Sequence, residues 1–103
     1  MKSDAIKIAK KFVVSIKTNG VPITTAYLFG SYAKGNAKPY SDIDICIISP
    51  ILGKDMIDEM VKLRQISRQI DGRIEPLPFG LEDINNPYDP LAAEIRRFGH
   101  PII

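Results

Sequence analysis

The sequence predicts a small α/β domain of the α+β kind, with strands packed against flanking helices. Apolar residues at helical spacing near 3–19, 54–70 and 90–98 alternate with β-branched and aromatic runs at 23–29, 42–48 and 73–78. Gly20, Gly30, Pro50, Gly72 and Gly99 punctuate these stretches. The length, 103 residues with 45% apolar and 25% charged side chains, suits one globular domain spanning 1–103.

Residues 3–19 read as an amphipathic helix. Ser3 is placed to cap it, Ala5, Ala9, Phe12, Val13 and Ile16 form its apolar stripe, and Gly20 stops it. Its other side carries Lys2, Lys7, Lys10, Lys11 and Lys17, as expected of a solvated face and also suited to an acidic partner or RNA. Beyond Val21-Pro22, the run Ile23 to Phe29 has the composition of a buried strand. It delivers Gly30 and Ser31, where a short helix opens and reaches Lys34 or Gly35. Lys38, Pro39, Tyr40 and Ser41 then form a connecting loop in which Tyr40 suits either packing or an exposed hydroxyl.

From Asp42 the chain alternates, with Asp42, Asp44 and Cys46 on one face and Ile43, Ile45 and Ile47 on the other. The isoleucines belong to the core, the aspartates share an edge, and Cys46 is expected to be a small, partly buried residue. Ser49-Pro50 ends this strand because proline cannot donate to the ladder. A longer helix from about 54 to 70 then offers Met56, Ile57, Met60, Leu63, Ile66 and Ile70 as its apolar stripe. Lys54, Asp58, Glu59, Lys62, Arg64 and Arg68 form its wet side. Asp71-Gly72 turns into a short strand over 73–78, which Pro76 and Pro78 place at an edge or near its end. Alternation turns Arg73, Glu75 and Leu77 one way and Ile74 the other. Residues 81–88 are loop-rich. Asp89-Pro90 caps a last helix with Leu91, Ile95 and Phe98 inward and Gly99 as terminator. His100 is the sole histidine and, with no Cys or His cluster around it, is structural or exposed rather than a zinc ligand.

The chemistry concentrates in residues 29–47. Two aspartates two apart on a strand lie roughly 6.5 Å apart at Cα, close enough to lean toward ions about 3.5 to 4 Å from each other in a two-metal site. Hard oxygen ligands favour Mg²⁺, with Mn²⁺ an alternative, and Mg²⁺ is held by one or two carboxylates together with substrate phosphates. A nucleoside triphosphate is the implied ligand. Gly30 lets the backbone approach it, and Ser31 offers a hydroxyl and the amides of a helix start. Lys34 is the better placed of the two loop lysines to neutralise a phosphate. A Walker A loop is excluded, since no Gly-Lys-Ser/Thr follows the glycines, and an apolar residue replaces the turn glycine of an EF-hand. Taken singly, a Gly-Ser turn or an aspartate pair is an ordinary surface feature. Together, between hydrophobic strands, they make a site.

Gly30-Ser31, Gly35 and Ser41-Asp42-Ile43-Asp44 match the spacing G-S-x-x-x-G…S-D-x-D, which resembles the signature of the DNA polymerase beta-like nucleotidyltransferase superfamily. The short length is most similar to the minimal nucleotidyltransferase (MNT) domains, including the antitoxins paired with HEPN toxins, and the likeness runs to the closing segment 92–103. The resemblance implies a mixed sheet of three to four strands flanked by helices. It also implies a reaction: AMP passes from ATP to a hydroxyl, such as a tyrosine of the partner toxin, with diphosphate leaving. Asp42, Asp44 and Glu75 would be the catalytic and metal-binding acids for two Mg²⁺ ions, Glu75 matching the third acid of the family and Asp71 being the runner-up. Gly30, Ser31, Lys34 and Ser41 would hold the nucleotide. Lys34 departs from the arginine often found there, which removes bidentate phosphate recognition.

A hetero-oligomer with a HEPN-type toxin follows from that likeness. Two rivals share the residues: an antitoxin that neutralises by contact alone, and a nucleotidyltransferase subunit acting on a small molecule. A net charge of +2 does not point to nucleic acid as direct substrate. No apolar run approaches the ~20 residues of a membrane span, the N-terminus lacks a signal-peptide pattern, and the single cysteine fits a reducing compartment, so a cytoplasmic location is expected.

Overall fold

The computed structural model describes residues 2–103. Its centre is a four-stranded mixed sheet in the order β3-β2-β1-β4. These strands are β1 (Thr25–Phe29), β2 (Ile43–Ile48), β3 (Ile74–Phe79) and β4 (His100–Pro101). The helices are α1 (Lys2–Thr18), α2 (Gly30–Lys34), α3 (Met56–Ser67) and α4 (Pro90–Phe98), with a 3-10 turn at Asp83–Asn85. β1 pairs antiparallel with β2 and β4, whereas β2 pairs parallel with β3 across the α3 crossover. The proline-bearing β3 sits at the edge, one of the two placements its prolines allow.

The two faces of β2 belong to two apolar clusters. Ile43, Ile45 and Ile47 are wholly buried beneath Ala5, Ala9, Phe12, Val13 and Ile16 of α1 and Leu63 of α3. Cys46 and Ile48 pack with Phe29, Phe79 and the Ala92 and Ile95 of α4. Cys46 is therefore fully enclosed rather than partly so, and burial first, then the charges of Asp83 and Asp89, raises its thiol pKa. The aspartate side of β2 is wet only at its beginning, because α4 covers the rest. No helix among the described residues is long and apolar enough to cross a membrane.

Three helix expectations need correction. Ser3 lies inside the first turn of α1 rather than capping it. In α3, capped by Asp55 rather than starting at Lys54, Met56 and Ile57 are exposed while Glu59 is buried. The reason is local: the Glu59 carboxylate accepts the N–H groups of Gly53, Lys54 and Asp55 at 2.8, 3.1 and 3.1 Å, which turns the helix start around this side chain. In α4, Asp89 caps through the Leu91 N–H at 2.9 Å as expected, but Leu91 and Phe98 are exposed and the buried pair is Ala92 and Ile95. Gly99 ends α4 with φ −63°; a Cβ there would collide with the Ile95 carbonyl.

Candidate active site

The site forms where β1 ends and β2 and β3 begin. The register places Asp44 between Phe29 on β1 and Glu75 on β3, so one carboxylate-bearing position of β2 faces a second on its parallel neighbour. Asp42 lies just ahead of β2 and is exposed, while Asp44 is half-buried.

Gly30 is the hinge, and two independent facts require glycine there. Its φ is +72°, and a Cβ would overlap the Asp44 carboxylate. The chain thus closes backbone directly onto an acid 14 residues further on. Ser31 follows in the first turn of α2, which no side chain caps; its carbonyl accepts the Gly35 N–H and, at 3.1 Å, that of Asn36. Gly35 closes the helix at φ +81°.

The loop leading to Asp42 is tied down by Arg73. Its guanidinium donates to the Tyr32 hydroxyl at 3.3 Å and the Pro39 carbonyl at 3.1 Å, and pairs with both Asp71 oxygens at 3.0 and 2.9 Å. Asp71 is thereby committed, its pKa lowered chiefly by the Arg73 hydrogen bond, and it is no rival to Glu75. Tyr32 donates to the Lys38 carbonyl at 3.3 Å. The Ser41 hydroxyl accepts the Lys38 N–H at 2.9 Å, so this side chain holds the loop closed. Tyr40 is exposed.

Charge is concentrated around Asp44. Its pKa is pushed up to about 6, first by burial and then by Asp42, Glu75 and Glu94. Glu94 on α4 carries no local motif that marks it, although it lies one helical turn from Phe98 and shares its side. It pairs with Lys34 at 2.8 Å, and Lys34 also lies 5.4 Å over the Phe98 ring, so the candidate phosphate ligand is docked on α4. Arg64 of α3, read as a solvated residue, reaches both Glu75 oxygens through one nitrogen, at 3.1 and 2.5 Å. Helix spacing alone does not reveal that contact, because it spans the α3–β3 junction.

Hard carboxylate oxygens at Asp42 and Asp44, with a surplus of negative charge around them, fit a divalent ion completed by phosphate oxygens. Among the described residues no three His, Cys, Asp or Glu side chains converge as a ready cage, and Glu75 pairs with Arg64.

A backbone hinge closed on paired acids defines a site suited to phosphoryl chemistry. The family follows: residues 6–85 match the model described as Nucleotidyltransferase domain, and this chain belongs to that family. It is 36% identical over 75 residues to MJ1305 of Methanocaldococcus jannaschii, named as a protein adenylyltransferase, across 64% of this chain and 51% of that protein. MntA of Haemophilus influenzae, named for the same activity, is 33% identical over 75 residues, across 69% of this chain and 62% of its own. The matches thus span between about half and three-fifths of these curated relatives. A toxin–antitoxin complex solved with AMP-PNP shares the fold at TM-score 0.62 and 20% identity, covering 91% of this chain and 72% of its own.

Proposed function

We propose that this chain is a Mg²⁺-dependent nucleotidyltransferase that moves AMP from ATP to a hydroxyl of a partner protein. The acceptor is a tyrosine of a HEPN-type toxin, and the chain is its antitoxin in a cytoplasmic hetero-oligomer. The observation that carries the proposal is the glycine hinge at Gly30 seated against Asp44, beside Asp42, in a chain of the nucleotidyltransferase family. Support for a protein acceptor comes from the names of MJ1305 and MntA. Support for ATP and a toxin partner comes from the toxin–antitoxin fold neighbour holding AMP-PNP.

In this mechanism Asp42, Asp44 and Glu75 hold the ions, which when bound supply activation of the acceptor oxygen and neutralisation of the leaving phosphates. Gly30 leaves the backbone open to the triphosphate with Ser31 beside it, Lys34 would reach a phosphate on leaving Glu94, and Ser41 shapes the loop that carries Asp42. The acceptor oxygen forms a bond to the α-phosphorus as the bridging bond to the β-phosphate breaks, and diphosphate leaves with the electron pair. Glu75 is the base within the cluster for the hydroxyl proton. Positioning and charge supply most of the rate.

The test is intact-mass analysis of the partner protein co-purified with this chain, after incubation with ATP and Mg²⁺. Whole AMP units should appear, and Asp42→Asn with Asp44→Asn should remove them. Transfer by that double variant would refute the site assignment. The engagement of Glu75 by Arg64 favours one alternative, neutralisation by contact with the metal site idle. In that case the double variant still silences its partner and no mass is gained.

A further inference from the structure

We infer that Arg64 is a positioning residue that competes with a divalent ion for the Glu75 carboxylate, so that Glu75 joins the two aspartates only on leaving the guanidinium. The inference rests on the proposal above that the aspartate pair holds such an ion. Glu75 stands in register with Asp44 on adjacent parallel strands, where backbones are about 4.8 Å apart, yet its oxygens are both occupied by the Nη2 of Arg64. Two further cations near the site pair elsewhere in this structure, Arg73 with Asp71 and Lys34 with Glu94. Arg64 thus supplies in the ion-free protein the positive charge that an ion would supply in the loaded one.

The pair is suited to exchange. Arg64 and Glu75 side chains are 42% and 36% exposed, and pairs so open to water are worth only about 0.2–1 kcal/mol. A divalent ion can displace a contact of that size, whereas a wholly buried pair would resist. Among the described residues no other hydrogen bond or ion pair uses the Arg64 head group: its carbonyl, not its side chain, serves the Ser67 hydroxyl and the Arg68 N–H.

The experiment is Mn²⁺ titration of the full chain, following the loss of the free-ion electron paramagnetic resonance signal. It uses four proteins, wild type, Arg64→Gln, Glu75→Gln and the combined variant, with circular dichroism confirming that each is folded. Removing Arg64 should tighten Mn²⁺ about two- to fivefold, the equivalent of releasing one half-exposed pair. In the Glu75→Gln background the same change should alter affinity by less than about 1.5-fold, because the competition has lost its object. Equal tightening in both backgrounds would mean that Arg64 acts only as a remote charge, and weaker binding in Arg64→Gln would mean that it steers Glu75 into the site. Either result overturns the inference while leaving the metal site standing. Wild type that binds no Mn²⁺, or Asp42→Asn with Asp44→Asn that binds it unchanged, would overturn the site and the inference together.

Discussion

Asp44 is held at an electrostatic cost that the fold bears for the sake of the site. Its carboxyl has a pKa of about 6 against an ordinary 3.8, so the folded chain holds this proton more tightly than the unfolded chain does. The stability that protonation contributes is full below 3.8 and is lost as the pH rises to about 6, beyond which the charged group is a constant penalty. Allowing for solvent screening of a half-exposed group, that penalty is about 1 kcal/mol. Asp44→Asn should therefore melt higher than wild type at pH 7.5 without ligand, and the gap should close below pH 4 in paired thermal melts. Gly30 gives a second expectation. Gly30→Ala should cost more than about 2 kcal/mol and abolish nucleotide transfer, since it combines positive φ with displacement of Asp44. Gly35→Ala, at a similar φ of +81° but with nothing near its Cβ, should cost about 1 kcal/mol and keep the site intact. Urea unfolding of both variants separates the backbone effect from the contact.

At the scale of elements, the start of α3 depends on one buried carboxylate. Glu59 is 9% exposed, and although burial raises its pKa, the N–H bonds from Asp55, Gly53 and Lys54 outweigh it, so the net shift is downward. Its contribution is thus present above the ordinary value of 4.5 and lost as the pH falls through the lowered one. Glu59→Ala should destabilise the chain by roughly 1–3 kcal/mol at pH 7, the cost of leaving those amides unpaired, with the difference shrinking in acid. Chemical denaturation at pH 7 and pH 3.5 measures both. The Glu59 role was hidden in the sequence because an acid four residues beyond a helix cap looks like any solvated charge. The same limit applies to α4, where Leu91, Glu94 and Phe98 form one side and only the neighbouring α2 reveals that Lys34 meets it. By contrast, the apolar stripe of α1 and the Ile43, Ile45 and Ile47 face of β2 were legible, because each follows a single period, whereas the full burial of Cys46 and Ile48 on the other face waits for α4.

In the whole molecule, one sheet serves two cores. Ile43, Ile45 and Ile47 anchor the α1–α3 side and Cys46 and Ile48 the α4 side, on the same strand. Residues 1–103 should therefore unfold as one unit, with far-ultraviolet and tyrosine near-ultraviolet circular dichroism giving coincident urea transitions. Separate transitions would show that the α4 layer opens independently.

The alternation Asp42 to Ile47 and the glycine at 30 by themselves determined the strand faces and the hinge, and the two prolines of β3 narrowed it to an edge or a strand end. These features are local, and backbone geometry reads them directly from residue type and spacing. Which charges meet was decided only by the tertiary structure. Arg64 with Glu75, Lys34 with Glu94, and Arg73 with Tyr32 and Pro39 lie 11, 60, 41 and 34 residues apart. Long, flexible side chains carry no periodic signal of their partners, so their pairing waits for the packed sheet and helices to bring them together.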